Sequence, residues 1–346
     1  MISIRLASHQ LLNTTLQSPK AVVSWLGAIQ AQDYNMAKWA VGIRLPESTD
    51  KAVEAAFNNG DFLRTHVLRP TWHFVSPENI RWMLALSAER IKSSSRARDR
   101  DLEITEELYS KTNHVIEKAL EGNRQLTRED LGTELENAKI PVNSARLVHF
   151  MMRAEVEGIV CSGAMQGKAH TYTLLEERVP PVKSLSKEEA LAKLAQIYFT
   201  SHCPATLSDF VWWSGLSQLE AKKGLEAVKS NFIPEEINGQ TYWLADVFRN
   251  VPIADECVRL LPAFDEYIIS YRDRRAVLPS ENHSKAISSN GIFRPTILAN
   301  GQIIGLWKKS TSKARPVGFD FFEQPDDATK SLADKAANDF KLFLEK

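Results

Sequence analysis

The sequence predicts an α+β chain, helical through its first two thirds and closed by a small β-rich domain. Three observations carry this. Apolar residues recur at i, i+3 and i+4 across long segments before residue 231. Two stretches in the middle of the chain share one order of elements and the same Thr-Tyr-x-Leu ending. Beyond residue 255 the pattern changes to short apolar runs separated by turn residues.

The helical segments fall near 19–32, 77–96, 104–121, 127–138, 143–157, 186–200, 206–213 and 217–230. Thr127-Arg-Glu-Asp130 and Ser186-Lys-Glu-Glu189 read as helix starts, since a hydroxyl caps while a carboxylate three residues on reaches back. Leu63 to Val75 reads instead as two strands around Arg69-Pro70-Thr71.

The first repeating stretch runs from Gln125-Leu-Thr-Arg-Glu-Asp-Leu131 through a helix at 143–157 to Thr171-Tyr-Thr-Leu174. The second runs from Ala205-Thr-Leu-Ser-Asp-Phe210 through a helix at 217–230 to Thr241-Tyr-Trp-Leu244. Short helix, longer helix, two-stranded hairpin is the order of a winged helix, a helix-turn-helix variant whose second helix can enter a groove. Residues 1–75 read as a third, more elaborate copy, with a recognition-like helix about 50–59 and a hairpin at 62–75. Val179-Pro-Pro-Val182 is a stiff linker.

The predicted domains are therefore winged helices over 1–110, 111–180 and 181–250, then a β-rich domain over 251–346. In that last domain, Val258 to Phe264, Tyr267 to Tyr271 and Pro295 to Trp307 are strand-like, and Asn300-Gly301 makes a hairpin turn. A closing helix over 326–345 turns Leu332, Phe340 and Phe343 inward.

Composition removes many functions. The 346 residues carry 43 Lys+Arg and 43 Asp+Glu, so charge alone does not coat nucleic acid. The zero is a cancellation, because residues 1–100 hold 13 basic and 8 acidic groups. Cys161, Cys203 and Cys257 are far apart, with no CxxC pair, which argues against a structural zinc site or a disulfide framework. There is no GxxxxGK[ST], no GxGxxG after a strand, no GxSxG and no HExxH. The reading is an enzyme or binding protein with no cofactor and no metal. Met1-Ile2-Ser3-Ile4-Arg5 lacks a secretory pattern, so a cytoplasmic monomer is expected.

Gln30-Ala31-Gln32 is the constellation most able to carry chemistry. It follows the apolar helix Ala21 to Ile29. Residues two apart on a helix point in nearly opposite directions, so the two amides converge only if the helix ends and the chain extends. Asp33-Tyr34-Asn35 is a plausible stop, with Asp33 either a turn residue or a group orienting water.

Four segments in this order resemble the winged-helix DNA glycosylases related to AlkZ and YcaQ. They are Leu26 to Asp33, Arg64-Thr-His-Val-Leu-Arg-Pro-Thr-Trp-His-Phe74, Leu260 to Tyr267 with Tyr271-Arg-Asp-Arg274, and Thr296 to Trp307. The resemblance covers nearly the whole chain. It implies Gln30 and Gln32 as the Gln-apolar-Gln catalytic pair of the AlkZ-like branch, on a curved surface of tandem winged helices.

The implied activity is monofunctional hydrolysis of the N-glycosidic bond of N7-alkylated purine nucleotides in double-stranded DNA, with bulky or crosslinked adducts within the family's reach. Alkylation at N7 makes the base cationic, so it departs neutral and needs little acid help. Two amides can then place a water against an oxocarbenium-like sugar without titrating. No obvious Lys nucleophile is present, which agrees with simple hydrolysis.

Candidate DNA contacts follow. Arg64, His66, Arg69 and His73 alternate with apolar residues in the hairpin, as a wing on DNA or a solvated sheet face. Arg81, Arg90, Lys92, Arg96, Arg98 and Arg100 outnumber Glu89 and Asp99 on one helix, a phosphate-tracking face. His283, Lys285 and Arg294 sit in a polar stretch, 280–295, that reads as a DNA-probing hairpin or a plain loop. Asp265, Glu266 and Asp273 are expected to pair structurally with Arg272, Arg274 or Arg275. The tryptophans, Trp212-Trp213 included, read as core. The alternative function is a non-catalytic winged-helix DNA-binding protein or transcriptional regulator.

Overall fold

A computed structural model describes residues 1–252, 256–310 and 317–345; residues 253–255, 311–316 and 346 of the predicted C-terminal domain lie outside it. Its contacts divide into two compact units, residues 55–190 and residues 1–54 with 191–346. The predicted 1–110 segment is thus shared between them.

In the 55–190 unit, strands Leu63–His66 and Trp72–Val75 pair antiparallel, from Leu63 opposite Val75 to His66 opposite Trp72. The connection is tight. Arg69 N–H reaches Val67 O at 2.7 Å around Leu68, whose φ is +63°. Pro77 then occupies the first turn of helix Pro77–Asp101, where its missing N–H costs nothing. Helix Glu106–Leu120 is capped by Thr105. Strand Leu126–Thr127, helices Arg128–Asn137 and Ser144–Val156, and strands Val160–Ser162 and Thr171–Leu174 follow. Thr171–Leu174 is the central strand of the three, antiparallel to both neighbours. Thr127 and Asp130 form the expected reciprocal cap. Ile116, Leu131, Leu135, Phe150 and Val160 close one apolar core.

The other unit repeats the order. Helix Lys187–Ser201 leads into helices Leu207–Ser214 and Gln218–Val228, then strands Phe232–Ile237 and Gln240–Ala245. An isolated bridge joins Ala205 to Trp243, the counterpart of Thr127 pairing with Thr171. Capping boxes open both short helices, at Thr206/Asp209 and Ser217/Glu220.

The end of the chain forms a four-stranded antiparallel sheet in the order Val317–Phe321, Gln302–Lys309, Thr296–Ala299, Val258–Leu261. Asn300 (φ +50°) and Gly301 (φ +82°) make its two-residue turn. Helix Asp327–Glu345 buries Phe340 and Phe343, with Leu332 half-buried. Both phenylalanines meet Trp39, their ring centroids 5.0 Å away.

Helices Ile2–Ser8 and Tyr34–Gly42 escape the sequence reading, as do the one-turn helices Leu175–Arg178 and His283–Ala286. The first inserts Leu6 among Leu261, Tyr267, Leu298 and Ile303. One predicted strand is corrected: within Tyr267 to Tyr271 lies the end of a short helix, Glu266–Ile269. Asp265 starts it by accepting the Tyr267 N–H at 2.9 Å.

Candidate active site

Ser18 caps helix Pro19–Leu26 by accepting the Ala21 N–H. The helix stops six residues short of the predicted 32, at Gly27. Gly27 has φ +78°, and a Cβ there would lie 2.6 Å from Ile197 Cγ2. Both facts require glycine. The chain then extends as strand Ala28–Gln30. That strand ends at Gln30, and Gln32 lies two residues on, in a bend. Gln30 is 6% exposed, whereas Gln32 is exposed. Asp33 is no stop. It is the N-cap of helix Tyr34–Gly42, its Oδ1 accepting the Met36 N–H at 3.1 Å.

Gln30 is anchored through its backbone. Its N–H donates to Glu266 Oε1 at 2.9 Å. Glu266 is 1% exposed, and its other oxygen accepts the Trp213 indole N–H at 3.0 Å and the Ser270 hydroxyl. A buried carboxylate needs such donors to offset lost hydration. Beside it, Asp265 takes both ends of the buried Arg44 guanidinium at 2.8 Å. Arg44 also donates to His9 O and Ala40 O. Asp265 and Glu266 thus pair with groups the sequence did not suggest. Asp273 meets an expected arginine, Arg275, at 2.6 Å.

The network continues inward. Tyr271 donates its hydroxyl to His202 O at 2.7 Å, so it accepts from His9 Nε2, also at 2.7 Å. That fixes the His9 proton on Nε2. Burial holds the His9 pKa well below 6.5, reinforced by His202, Arg44 and Arg5. Burial also lowers His202, opposed by Glu266, whose Oε2 lies 3.7 Å from His202 Nε2. Ionic, aromatic and backbone contacts thus lock the elements behind Gln30. The cavity of about 1340 Å³ in the same unit is lined by Trp25, Trp39 and Phe343, among others, not by Gln30 or Gln32.

The candidate DNA contacts separate into two groups. In the hairpin, Arg64 is buried, its guanidinium 4.2 Å from the Trp72 ring centre. His66 is buried, and both its N–H and its Nδ1 meet Glu155 Oε2, at 2.9 and 2.5 Å. His73 is fully buried, with Nδ1 2.9 Å from Thr71 O, and half-buried Arg69 lies 3.5 Å from its Nε2. This corrects the picture of an alternating solvent-facing wing. Strand Leu63–His66 is buried at every residue, because Glu155 and the Trp72 face receive the polar groups. On helix Pro77–Asp101, by contrast, Arg96, Arg98 and Arg100 are exposed. Arg98 lies 3.6 Å from Asp101. Arg81 pairs with Glu176 and Lys92 with Glu89.

Lys285 is exposed and 2.9 Å from Asn282 Oδ1. Its stretch is ordered as helix His283–Ala286 and a tight loop closed by pairing of Ile287 with Phe293. Among the described residues, no cluster of three His, Cys, Asp or Glu is placed to hold a metal. No helix there is long and apolar enough to cross a membrane.

Known proteins are similar to this chain over most of its length. The interstrand DNA cross-link repair glycosylase of Streptomyces sahachiroi is 22% identical over 308 residues, 85% of this chain and 83% of that protein. The solved structure of the Streptomyces sahachiroi DNA glycosylase AlkZ superposes with a TM-score of 0.84 at 20% identity, over 99% of this chain and 95% of that one. At that identity the likeness is one of fold. The family model for AlkZ-like DNA glycosylases matches residues 23–337, a span that includes Gln30, Glu266 and the C-terminal sheet, and the chain belongs to the AlkZ-like DNA glycosylase family.

Proposed function

We propose that the chain is a monofunctional DNA glycosylase that hydrolyses the N-glycosidic bond of N7-alkylated purine nucleotides, interstrand crosslinks among them. The relative named for cross-link repair supports that wider substrate range. The carrying observation is the Gln30 strand, extended after Gly27 and tied to the buried Glu266.

In this reading Gln30 and Gln32 hold a water against C1′ while the alkylated base leaves as a neutral heterocycle. The water oxygen bonds to C1′ and gives up a proton to bulk solvent, the C1′–N9 electron pair passes to the cationic base, which leaves neutral, and an abasic site remains. Preorganisation matters here, since donors fixed before reaction cost no reorganisation during it. The repeated order of two helices and a hairpin supports winged helices at 106–174 and 187–245, and residues 1–110 complete the tandem array. Exposed Arg96, Arg98 and Arg100, with Lys285, attract the phosphate backbone. The enzyme acts as a monomer in the cytoplasm.

The test is release of base from duplex DNA carrying 7-methylguanine or an N7 crosslink, followed by detection of abasic sites. Gln30→Ala and Gln32→Ala are expected to abolish it. Equal base release by wild type and both variants removes the assignment. DNA binding by the wild type with no release from any N7 adduct favours the regulator instead.

A further inference from the structure

Trp212 and Trp213 are neighbours in helix Leu207–Ser214 and face opposite environments. Trp213 is fully buried and donates to Glu266. Trp212 is 42% exposed, yet its ring is fixed. Its indole N–H donates to Ile269 O at 2.8 Å. The Arg274 guanidinium lies 5.0 Å from its ring centre and 5.0 Å from that of Phe293. Arg274 Nε donates in turn to Ile268 O at 3.1 Å. Arg272 and Arg275 are exposed beside it, and Asp273 pairs with Arg275.

A large aromatic ring held rigid and left open to water gains little from folding alone. Its rim is guanidinium, which does not match an apolar protein surface but does match a nucleic-acid strand, with π faces and phosphates side by side. The ring is also tied to the candidate active site. Ile269, which takes its N–H, ends the short helix that Glu266 begins, and Glu266 holds the Gln30 N–H. Platform and catalytic strand therefore share one rigid support.

We propose that Trp212, backed by Arg274, is a stacking platform for an unpaired nucleobase of the DNA bound at Gln30. Arg272 and Arg275 draw in the adjoining phosphates. This rests on the DNA glycosylase reading, and it adds a subsite for a base displaced near the lesion. Stacking tolerates any base, because each presents a π face.

The experiment uses the full chain and two duplexes, one fully paired and one with a single bulged 2-aminopurine. Trp212→Ala is expected to weaken binding of the bulged duplex roughly tenfold, in line with one lost base–aromatic stack, and to leave the paired duplex nearly unchanged. Trp212→Phe should retain most of the affinity. The wild type and Trp212→Phe should quench 2-aminopurine emission, and Trp212→Ala should not. The wild-type arm needs no variant to fold: tight binding of the bulged duplex without quenching overturns the platform. So does a Trp212→Ala protein that binds and quenches like the wild type. Failure of the wild type to bind either duplex overturns the DNA reading itself, and the platform falls with it.

Discussion

Gln30 and Arg100 both stand as candidates to meet DNA, and the chain supports them in opposite ways. Gln30 is nearly buried on a three-residue strand. Beneath it lies a carboxylate that accepts hydrogen bonds from the Gln30 strand, from Trp213 and from Ser270. Arg100, with Arg96 and Arg98, stands exposed near the end of a 25-residue helix. The contrast separates two physical tasks. Placing a water for attack demands a fixed position, and an error of 1 Å can cost about a hundredfold in rate. Attracting phosphates demands only charge within a Debye length, roughly 8–10 Å at ordinary salt. Long flexible side chains in water suffice for the second task and fail at the first.

Variants at the two ends should break the molecule differently. Gln30→Ala is expected to reduce single-turnover base release at least a hundredfold while changing DNA affinity little; a parallel loss of affinity would blur the contrast. Glu266→Leu removes the acceptor of the Gln30 N–H and strands buried donors, at a cost of about 3 kcal/mol in stability. Release should fall by about thirtyfold in the protein that remains folded, an estimate resting on the cost of misplacing the water. Glu266→Gln, which keeps one acceptor oxygen for the Gln30 N–H but turns an NH2 toward Trp213 and Ser270, should recover only part of the rate.

Replacing Arg96, Arg98 and Arg100 together by Ala should spare the chemical step. It should lower the slope of log affinity against log salt by about 2–3, near 0.9 per lost phosphate contact. Fluorescence anisotropy at several salt concentrations measures this.

Acid gives a smaller effect, to which the network behind Gln30 contributes. His9 and His202 are kept neutral when folded, so below their ordinary 6.5 the unfolded chain takes up protons first. Their contribution is complete above that pH and is lost as pH falls, at up to about 1.4 kcal/mol per pH unit for each. Melting temperatures at pH 7 and 5 should show the loss, and His9→Asn should shrink it. Smallest of all, Arg98→Ala should leave stability within about 0.5 kcal/mol, because its partner Asp101 is also in water.

The same division explains what could be read from sequence. The amphipathic helices from residue 77 to 228 announce themselves by period and by caps such as Thr127/Asp130. Helix Tyr34–Gly42 does not, since seven of its nine residues are buried and no polar stripe remains. Tyr267 to Tyr271 is a short apolar run, which periodicity cannot assign to strand or helix. The Gln30 pair was visible as a motif, but its support was not. Glu266 lies 236 positions from Gln30, and Asp265 lies 221 from Arg44. His66 misled for a related reason: Glu155, 89 positions on, draws it inside. Charge can be counted along a chain, whereas burial depends on partners that only folding brings together.

The first helix carries a consequence for how the chain is made. Leu6 packs among residues near 261–303, and Ile2 lies so close to the Asn300-Gly301 turn that a methyl group on residue 301 would overlap it. A ribosome adding roughly 5–20 residues per second needs tens of seconds to reach those partners. Throughout that interval Leu6 and Leu11 have no native core to enter. Residues 55–190 form an unbroken compact stretch, which can close while synthesis continues. The strand that bears Gln30 is thus translated 236 residues before its Glu266 anchor.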